Sequence, residues 1–233
     1  VIYWAIRETL AKQHGETASF WQGWGQALGD RSLIIYVAVN IMFTGYLSQV
    51  QSTLPVYFNR FVGSSNGGGL SEGTLSILFA GHVALAAILQ LPVARYLNRY
   101  SQPRGLMLSA ISWGIGFLLV GLAGYSGMFP TLWAAAALAV MALGMIAYTP
   151  IASSLVVLLA PANQRGVYLS VNSMCWAIGY LIGPPVGGWA LDQGRTVANG
   201  FWLLLALSIL LTIAILQWLD QRLLKTGEQP ANP

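Results

Sequence analysis

The sequence predicts an all-α membrane protein with six transmembrane helices, and three observations support this fold class. Hydrophobic residues make up 56% of the 233-residue chain and charged residues only 8%, whereas soluble domains carry about 25% charged residues. The acidic residues lie between or at the ends of apolar stretches and never deep inside one. These stretches are continuous rather than alternating, which indicates helices and not the strands of a membrane barrel.

Six apolar stretches reach the roughly 20 residues that a helix needs to cross a hydrocarbon core about 30 Å thick. They cover residues 32–58, 73–97, 105–125, 130–159, 167–191 and 200–219. They divide the chain into a cytoplasmic connector over residues 1–31, a membrane domain over 32–219 and a cytoplasmic tail over 220–233. Because the chain opens with VIYWAI and no Met, we expect the connector to begin with the end of a preceding span. The rest of the connector is expected to be either a short interfacial helix near Trp24 or a disordered linker.

The distribution of positive charge predicts the orientation of the chain. Nine Lys and Arg residues fall on one side of the predicted membrane, and only Arg60 and Arg195 fall on the other. The positive-inside rule therefore places both ends in the cytoplasm, as in a protein of a plasma or bacterial inner membrane. Because the basic residues form no concentrated patch, a nucleic-acid partner is not expected.

Polar residues follow one face of the first predicted helix. Asn40, Thr44, Ser48, Gln51 and Pro55 are spaced by 4, 4, 3 and 4 residues, which places them on one stripe. Such a stripe either lines a cavity or forms hydrogen bonds to neighbouring helices, each worth under about 2 kcal/mol. We take its members as candidates for a substrate pathway.

Further pathway candidates lie in the second, fourth and fifth predicted helices. His82 is the only His, Asp, Glu, Lys or Arg well inside a span, so it is either a proton carrier or a structural hydrogen-bonding residue. The other candidates are Gln90, Tyr148, Asn172 and Trp176. The third and sixth helices lack such side chains, so they are expected to face outward while the other four face the pathway. Cys175 is single and indicates no disulfide or metal site, and no cofactor is expected.

Glycine and proline interrupt the fifth predicted helix in the stretch GYLIGPPVGG. Gly179, Gly183 and Gly187 recur every four residues and form one face that lets a neighbouring helix approach closely. Pro184 and Pro185 predict a kink in the same helix. This combination suits a helix that moves against its neighbours.

A short basic loop, ARYLNRYSQPRGLM, joins the second and third predicted helices. Its Arg95, Arg99 and Arg104 can pair with acidic side chains or with helix C-termini, and so stabilise one conformation of the protein. Retention of positive charge on the cytoplasmic side explains the same charges equally well.

These two motifs resemble those of the major facilitator superfamily, and the resemblance extends over every predicted helix. The basic loop is similar to the family's loop between the second and third helices of each half, although its Gly and Asp are missing. The stretch GYLIGPPVGG matches the GxxxGPxxGG signature of the family's drug/proton antiporters at Gly179, Gly183, Pro184, Gly187 and Gly188. The resemblance implies a C-terminal six-helix half whose first, second, fourth and fifth helices border a central cavity. It also implies an N-terminal half, a small-molecule substrate and protons as partners.

The resemblance favours proton-coupled efflux by alternating access. Uncharged and partly aromatic candidate residues favour amphipathic or hydrophobic substrates over sugar phosphates or dicarboxylates, which would require Arg or Lys at mid-membrane. An uptake symporter for a small neutral solute and a six-span scaffold without transport activity are the alternatives. An enzyme is not expected, because the GxSx context of an intramembrane serine protease is missing. The chain also contains neither a Walker motif nor Asn-Pro-Ala boxes.

Overall fold

A computed structural model describes residues 20–63 and 68–226, and within these residues the chain forms eight α-helices and no strands. The helices are α1 Phe20–Gly29, α2 Arg31–Gln51, α3 Thr53–Phe61, α4 Glu72–Leu97, α5 Gln102–Tyr125, α6 Pro130–Leu159, α7 Arg165–Asp192 and α8 Arg195–Thr226. The predicted all-α fold is therefore confirmed. Expectations for the beginning of the connector and the end of the tail fall outside the described residues.

Five of the described helices, α2, α4, α5, α6 and α8, are long and apolar enough to cross a membrane. The mean hydropathy of their most apolar windows runs from 1.6 to 2.3. The 28-residue α7, which carries Asn172 and the glycine-proline cluster, is not among them. Five of the six predicted spans each coincide with one helix, and the first is divided between α2 and α3, while the number of six membrane crossings stays a prediction.

The first predicted span is wrong as one continuous helix, because the chain breaks at Ser52 between α2 and α3. Ser52, a single turn residue between the two helices, has φ −112° and ψ −64°, and its N–H bonds to the Ser48 carbonyl oxygen at 3.0 Å. Three residues later Pro55 lacks an N–H, and its ring collides with the carbonyl four residues before it, at Gln51. The helix therefore ends at Gln51, and a second helix begins at Thr53.

The end of the connector forms a helix that packs against the membrane domain. A Cβ atom built at Gly23 of α1 would lie 3.5 Å from Cγ2 of Val167 in α7. Between α1 and α2, Asp30 caps α2 by accepting the Ser32 amide at 2.8 Å, and its other oxygen accepts the Tyr168 hydroxyl at 2.8 Å. The structure thus contains a helix at the end of the connector, which is one of the two expected alternatives, while its location at a membrane interface stays a prediction.

The helix α5 has one exposed apolar face and one buried aromatic face. Its exposed residues recur at helical spacing and are Leu108, Ile111, Ile115, Leu118 and Leu122. On the opposite face, Trp113 and Phe117 are fully buried, with Trp113 against Gly144 of α6 and Phe117 6.1 Å from the Trp202 ring of α8. In contrast, α4 buries only His82 and Leu97. Burial among the described residues therefore does not follow the predicted division into helices that face the pathway and helices that face outward, and that division stays a prediction.

Candidate functional site

The helices α2 and α3 contact α7 through a tightly closed surface that we call the α2–α7 seam. It consists of Thr44, Ser48, Gln49 and Thr53 on one side and Gly179, Gly183 and Gly187 on the other. A Cβ atom built at Gly179 would overlap the Thr44 side chain and lie 2.7 Å from its backbone carbonyl carbon. One built at Gly187 would lie 2.8 Å from Cγ2 of Thr53. The three glycines are therefore required for this close approach, as their spacing predicts.

Two other residues of the GxxxGPxxGG signature lie outside this contact. A Cβ atom built at Gly188 would meet no atom within 4 Å in the part of the chain that the structure describes. Pro184 is half-buried, and α7 runs continuously from Arg165 to Asp192 through both prolines. The seam therefore uses the four-residue glycine spacing of the signature and not the whole signature.

A buried hydrogen-bond network joins α2, α6 and α7 at one end of the seam. Asn40 donates to Oδ1 of Asn172 at 2.9 Å, and the Tyr148 hydroxyl donates to Oδ1 of Asn40 at 2.5 Å. The Tyr36 hydroxyl lies 2.6 Å from Oδ1 of Asn172 and 2.9 Å from the carbonyl oxygen of Ala152. Three pathway candidates, Asn40, Tyr148 and Asn172, thus bond to one another, and the first two are only 1% exposed.

The seam also encloses Thr44 and Ser48, which are fully buried. The Thr44 hydroxyl donates to the Cys175 carbonyl oxygen at 2.9 Å, and the Ser48 hydroxyl donates to the Gly45 carbonyl oxygen at 2.7 Å. Gln49, which the sequence reasoning missed, donates to the Gly183 carbonyl oxygen at 2.7 Å. Thr44 and Gln49 thus form hydrogen bonds from α2 to α7, whereas the Ser48 hydroxyl bonds within α2.

A cavity of about 290 Å³ lies on another side of α2, in front of α4, and we call it the α2–α4 cavity. The described residues that line it are Leu47, Val50, Gln51, Pro55, Phe79, His82, Val83, Ala86, Trp113 and Met145. Three lining residues carry polar groups. The Gln51 amide and the His82 imidazole can each donate and accept hydrogen bonds, and the Trp113 indole N–H can donate one. None of these residues is Asp, Glu, Lys or Arg. The cavity is therefore apolar with a few polar groups, as is typical of sites for small organic molecules.

His82 connects this cavity to α6. Its Nδ1 lies 2.8 Å from the Leu138 carbonyl oxygen, and the residue is 7% exposed. A carbonyl oxygen only accepts hydrogen bonds, so Nδ1 carries the hydrogen in this contact. In the neutral imidazole, Nε2 then has the lone pair and is the atom that can take up a proton. The sequence left two roles open for His82, a structural hydrogen bond and proton carriage. The structure contains such a hydrogen bond, and proton carriage stays a prediction.

Two remaining pathway candidates lie outside the lining of this cavity. Gln90 is exposed on α4, two turns after His82. Trp176 is half-buried on α7, where its ring stacks on Tyr180 at 5.9 Å and lies 6.2 Å from the ring of Tyr148. The structure therefore brings Gln51 and His82 together at the cavity and Trp176 next to the hydrogen-bond network.

The basic loop contains one arginine with an acidic partner. Nε of Arg104 lies 3.1 Å from Oδ2 of Asp220, and the Ser101 hydroxyl donates to Oδ1 of the same carboxylate at 3.1 Å. This ion pair joins the start of α5 to the end of α8. Arg99 lies 6.0 Å from the centre of the Tyr96 ring, and Arg95 is exposed in the last turn of α4.

The sequence profile of the Major Facilitator Superfamily matches residues 65–231, which is most of the chain. The chain belongs to the major facilitator superfamily. The predicted resemblance is thereby confirmed, and the apolar helices are those of a multi-pass membrane protein.

Relatives of this superfamily member include two bacterial proteins named "Multidrug resistance protein MdtH". The protein from Edwardsiella ictaluri is 30% identical over 203 residues, and the one from Citrobacter koseri is 26% identical over 200 residues. Each match covers 84% of this chain and 47% of the relative. The chain thus spans about half the length of the curated relatives that it matches.

The sequence reasoning found the polar residues that line the α2–α4 cavity, Gln51 and His82, and missed the apolar ones. Leu47, Phe79, Trp113 and Met145 line the α2–α4 cavity, but apolar residues in an apolar span give no signal of where they face.

Proposed function

We propose that the full-length protein is a secondary active exporter that moves small amphipathic or hydrophobic compounds by alternating access, coupled to protons. The composition of the α2–α4 cavity is the observation that carries this proposal. Leucine, valine, phenylalanine, tryptophan and methionine side chains line it beside Gln51 and His82. A sugar phosphate or dicarboxylate would require a cationic partner there. The name of the MdtH relatives, multidrug resistance proteins, supports the same substrate class.

The substrate pathway in this proposal includes Gln51 and His82 at the cavity, with Gln90 further along α4 and Trp176 on α7. Asn40, Thr44, Tyr148 and Asn172 hold α2, α6 and α7 in position, and they reach the pathway only when the seam opens. The conformational change uses the glycine face of α7 as its sliding surface. Arg95, Arg99 and the ion pair between Arg104 and Asp220 stabilise one state of the cycle.

A second half of the transporter packs against this one in our proposal. The relatives are about twice as long as the matched region. Apolar side chains are exposed on both α4 and α7, among them Ile77, Ile88, Leu181 and Val186. An N-terminal half that covers these faces would complete the cavity.

The proposed orientation has both ends of the described chain in the cytoplasm of a bacterium, with the protein in the inner membrane. The nine-to-two distribution of Lys and Arg supports it. A fluorescent protein fused after the last residue should fold and emit light, while periplasmic alkaline phosphatase at the same position should stay inactive. The reverse pattern would contradict the orientation.

Proton coupling is tested at His82. In proteoliposomes that contain the full-length protein, we expect His82→Ala to change the pH dependence of efflux of a fluorescent hydrophobic cation such as ethidium. His82→Gln is the matched variant, because its amide N–H can still reach the Leu138 carbonyl oxygen but cannot titrate. An altered pH profile in both variants supports proton carriage. An altered profile in His82→Ala alone, or in neither, assigns His82 to packing.

A further inference from the structure

Gln49 differs from Thr44 and Ser48, its neighbours in the α2–α7 seam, because half of its side-chain amide is unpaired. Its Nε2 donates to the Gly183 carbonyl oxygen at 2.7 Å. Its Oε1 is buried and has no hydrogen-bond donor among the residues that the structure describes. The whole residue is only 3% exposed. Closure of the seam therefore buries a polar atom without satisfying it.

The surroundings of Gln49 fix the orientation of its amide. The Gly183 carbonyl oxygen only accepts hydrogen bonds, so Nε2 and not Oε1 faces it. A Cβ atom built at Gly187 would overlap both Oε1 of Gln49 and Oγ1 of Thr53, so Oε1 lies against the backbone of α7. The Gly187 N–H is used within this continuous helix, which leaves a Cα–H, a much weaker donor. The Thr53 hydroxyl contacts the Ser52 hydroxyl at 3.4 Å instead.

The unpaired oxygen raises the free energy of the closed seam. A buried acceptor without a donor has lost its hydrogen bonds to water and gained none in return. When α7 moves away from α2, water can bond to both Oε1 and Nε2 of Gln49. The Gly183 carbonyl oxygen keeps the Gly187 N–H of its own helix in either arrangement. The amide of Gln49 therefore favours the open seam over the closed one.

We propose that Gln49 is a further positioning residue of the transport cycle, which limits the stability of the closed α2–α7 seam and so sets how readily the seam opens. This inference rests on the proposed function, in which the seam opens during each cycle. The glycines of α7 permit the close approach of the two helices, and Gln49 keeps that approach reversible. An apolar side chain of similar length would close on the same glycines without burying an unpaired acceptor.

The reactivity of a cysteine at position 44 tests the proposal. Thr44 is fully buried against Gly179 and lies more than one helical turn from Gln49. Thr44→Cys in the full-length protein without other cysteines is labelled with a small maleimide in proteoliposomes, and the rate reports the open fraction of the seam. We expect Gln49→Met and Gln49→Leu to slow labelling about tenfold, which corresponds to about 1.4 kcal/mol. Gln49→Glu has the same shape but loses the N–H donor, so labelling should become faster.

The apolar variants separate this role from a purely structural one. If Gln49 only joined the helices, every substitution would remove its bond to the Gly183 carbonyl oxygen and make labelling faster. Slower labelling in at least one of the two apolar variants supports the proposal, and faster or unchanged labelling in both overturns it. Slower labelling in Gln49→Glu would also overturn it. Efflux by the parent protein is measured separately, and its absence would contradict the proposed transport function without altering the result of the labelling.

Discussion

The helix α2 contacts its neighbours in two contrasting ways. Toward α7, Thr44 and Ser48 close directly on Gly179 and Gly183, and no side chain larger than hydrogen fits at the glycine positions. Toward α4, Leu47, Val50 and Gln51 stand back from His82 and Phe79 and leave a cavity of about 290 Å³. The closed side is polar and the open side is mainly apolar.

The difference between the α2–α7 seam and the α2–α4 cavity shows that polar side chains inside a membrane span do not by themselves identify a transport pathway. Buried hydroxyl and amide groups at the seam bond to backbone carbonyl oxygens and to each other, which joins helices where lipid offers no partner. A cavity for hydrophobic compounds, as we propose, needs few polar groups, because such compounds are held mainly by apolar contact.

The largest effect is expected from Gly183→Leu at the seam. A Cβ atom at this position would collide with the Ser48 side chain and come within 3.2 Å of Nε2 of Gln49. Overpacking of this kind costs about 1–3 kcal/mol and forces the helices apart, so transport should be abolished. Efflux assays at matched expression check this, with Gly188→Ala as the control expected to keep activity. Wild-type efflux by Gly183→Leu would show that the seam does not close in the functional protein.

A smaller effect is expected when the cavity is filled. Ala86 lines the α2–α4 cavity, and Ala86→Trp places a large side chain there. We expect efflux of hydrophobic cations to fall about tenfold, because a loss of about 1.4 kcal/mol in the free energy of substrate binding lowers affinity tenfold. The Tm of the protein should stay unchanged. The matched control is Ala214→Trp on an exposed position of α8. Equal efflux by both variants would remove the cavity from the pathway.

The smallest effect is expected from Asn172→Ala in the hydrogen-bond network. It removes the acceptor of the Asn40 amide and a partner of the Tyr36 hydroxyl. Loss of stability should be about 1–2 kcal/mol, measured as a lower Tm in detergent. Ser173→Ala is the control, because the exposed Ser173 hydroxyl bonds only within its own helix, to the Leu169 carbonyl oxygen. An equal Tm for the two variants would mean that the network does not stabilise the seam.

Much of the helical architecture was predictable, because long apolar stretches end where Ser, Pro or Gly interrupts them. The predicted span over residues 130–159 coincides with α6. In contrast, the break at Ser52 was missed although Pro55 was noted, because a proline in an apolar span is compatible with a kink as well as a break.

The division of the polar stripe of α2 could not be predicted. Spacing alone places Thr44, Ser48 and Gln51 on one face, but which helix opposes that face depends on tertiary packing. Thr44 and Ser48 meet the glycines of α7, whereas Gln51, the last residue of α2, reaches the cavity. The glycine spacing of α7 predicted that a close partner exists, yet it did not identify α2 as that partner.

The accessibility of two engineered cysteines tests the contrast between the seam and the cavity most directly. In the full-length protein without other cysteines, Gln51→Cys and Ser48→Cys would be treated with a small thiol-reactive maleimide, with and without a hydrophobic substrate. We predict that Gln51→Cys reacts, that substrate slows its reaction, and that Ser48→Cys, which is exposed only while the seam is open, reacts far more slowly than Gln51→Cys. Equally fast reaction of the two cysteines, with no protection by substrate, would contradict the account.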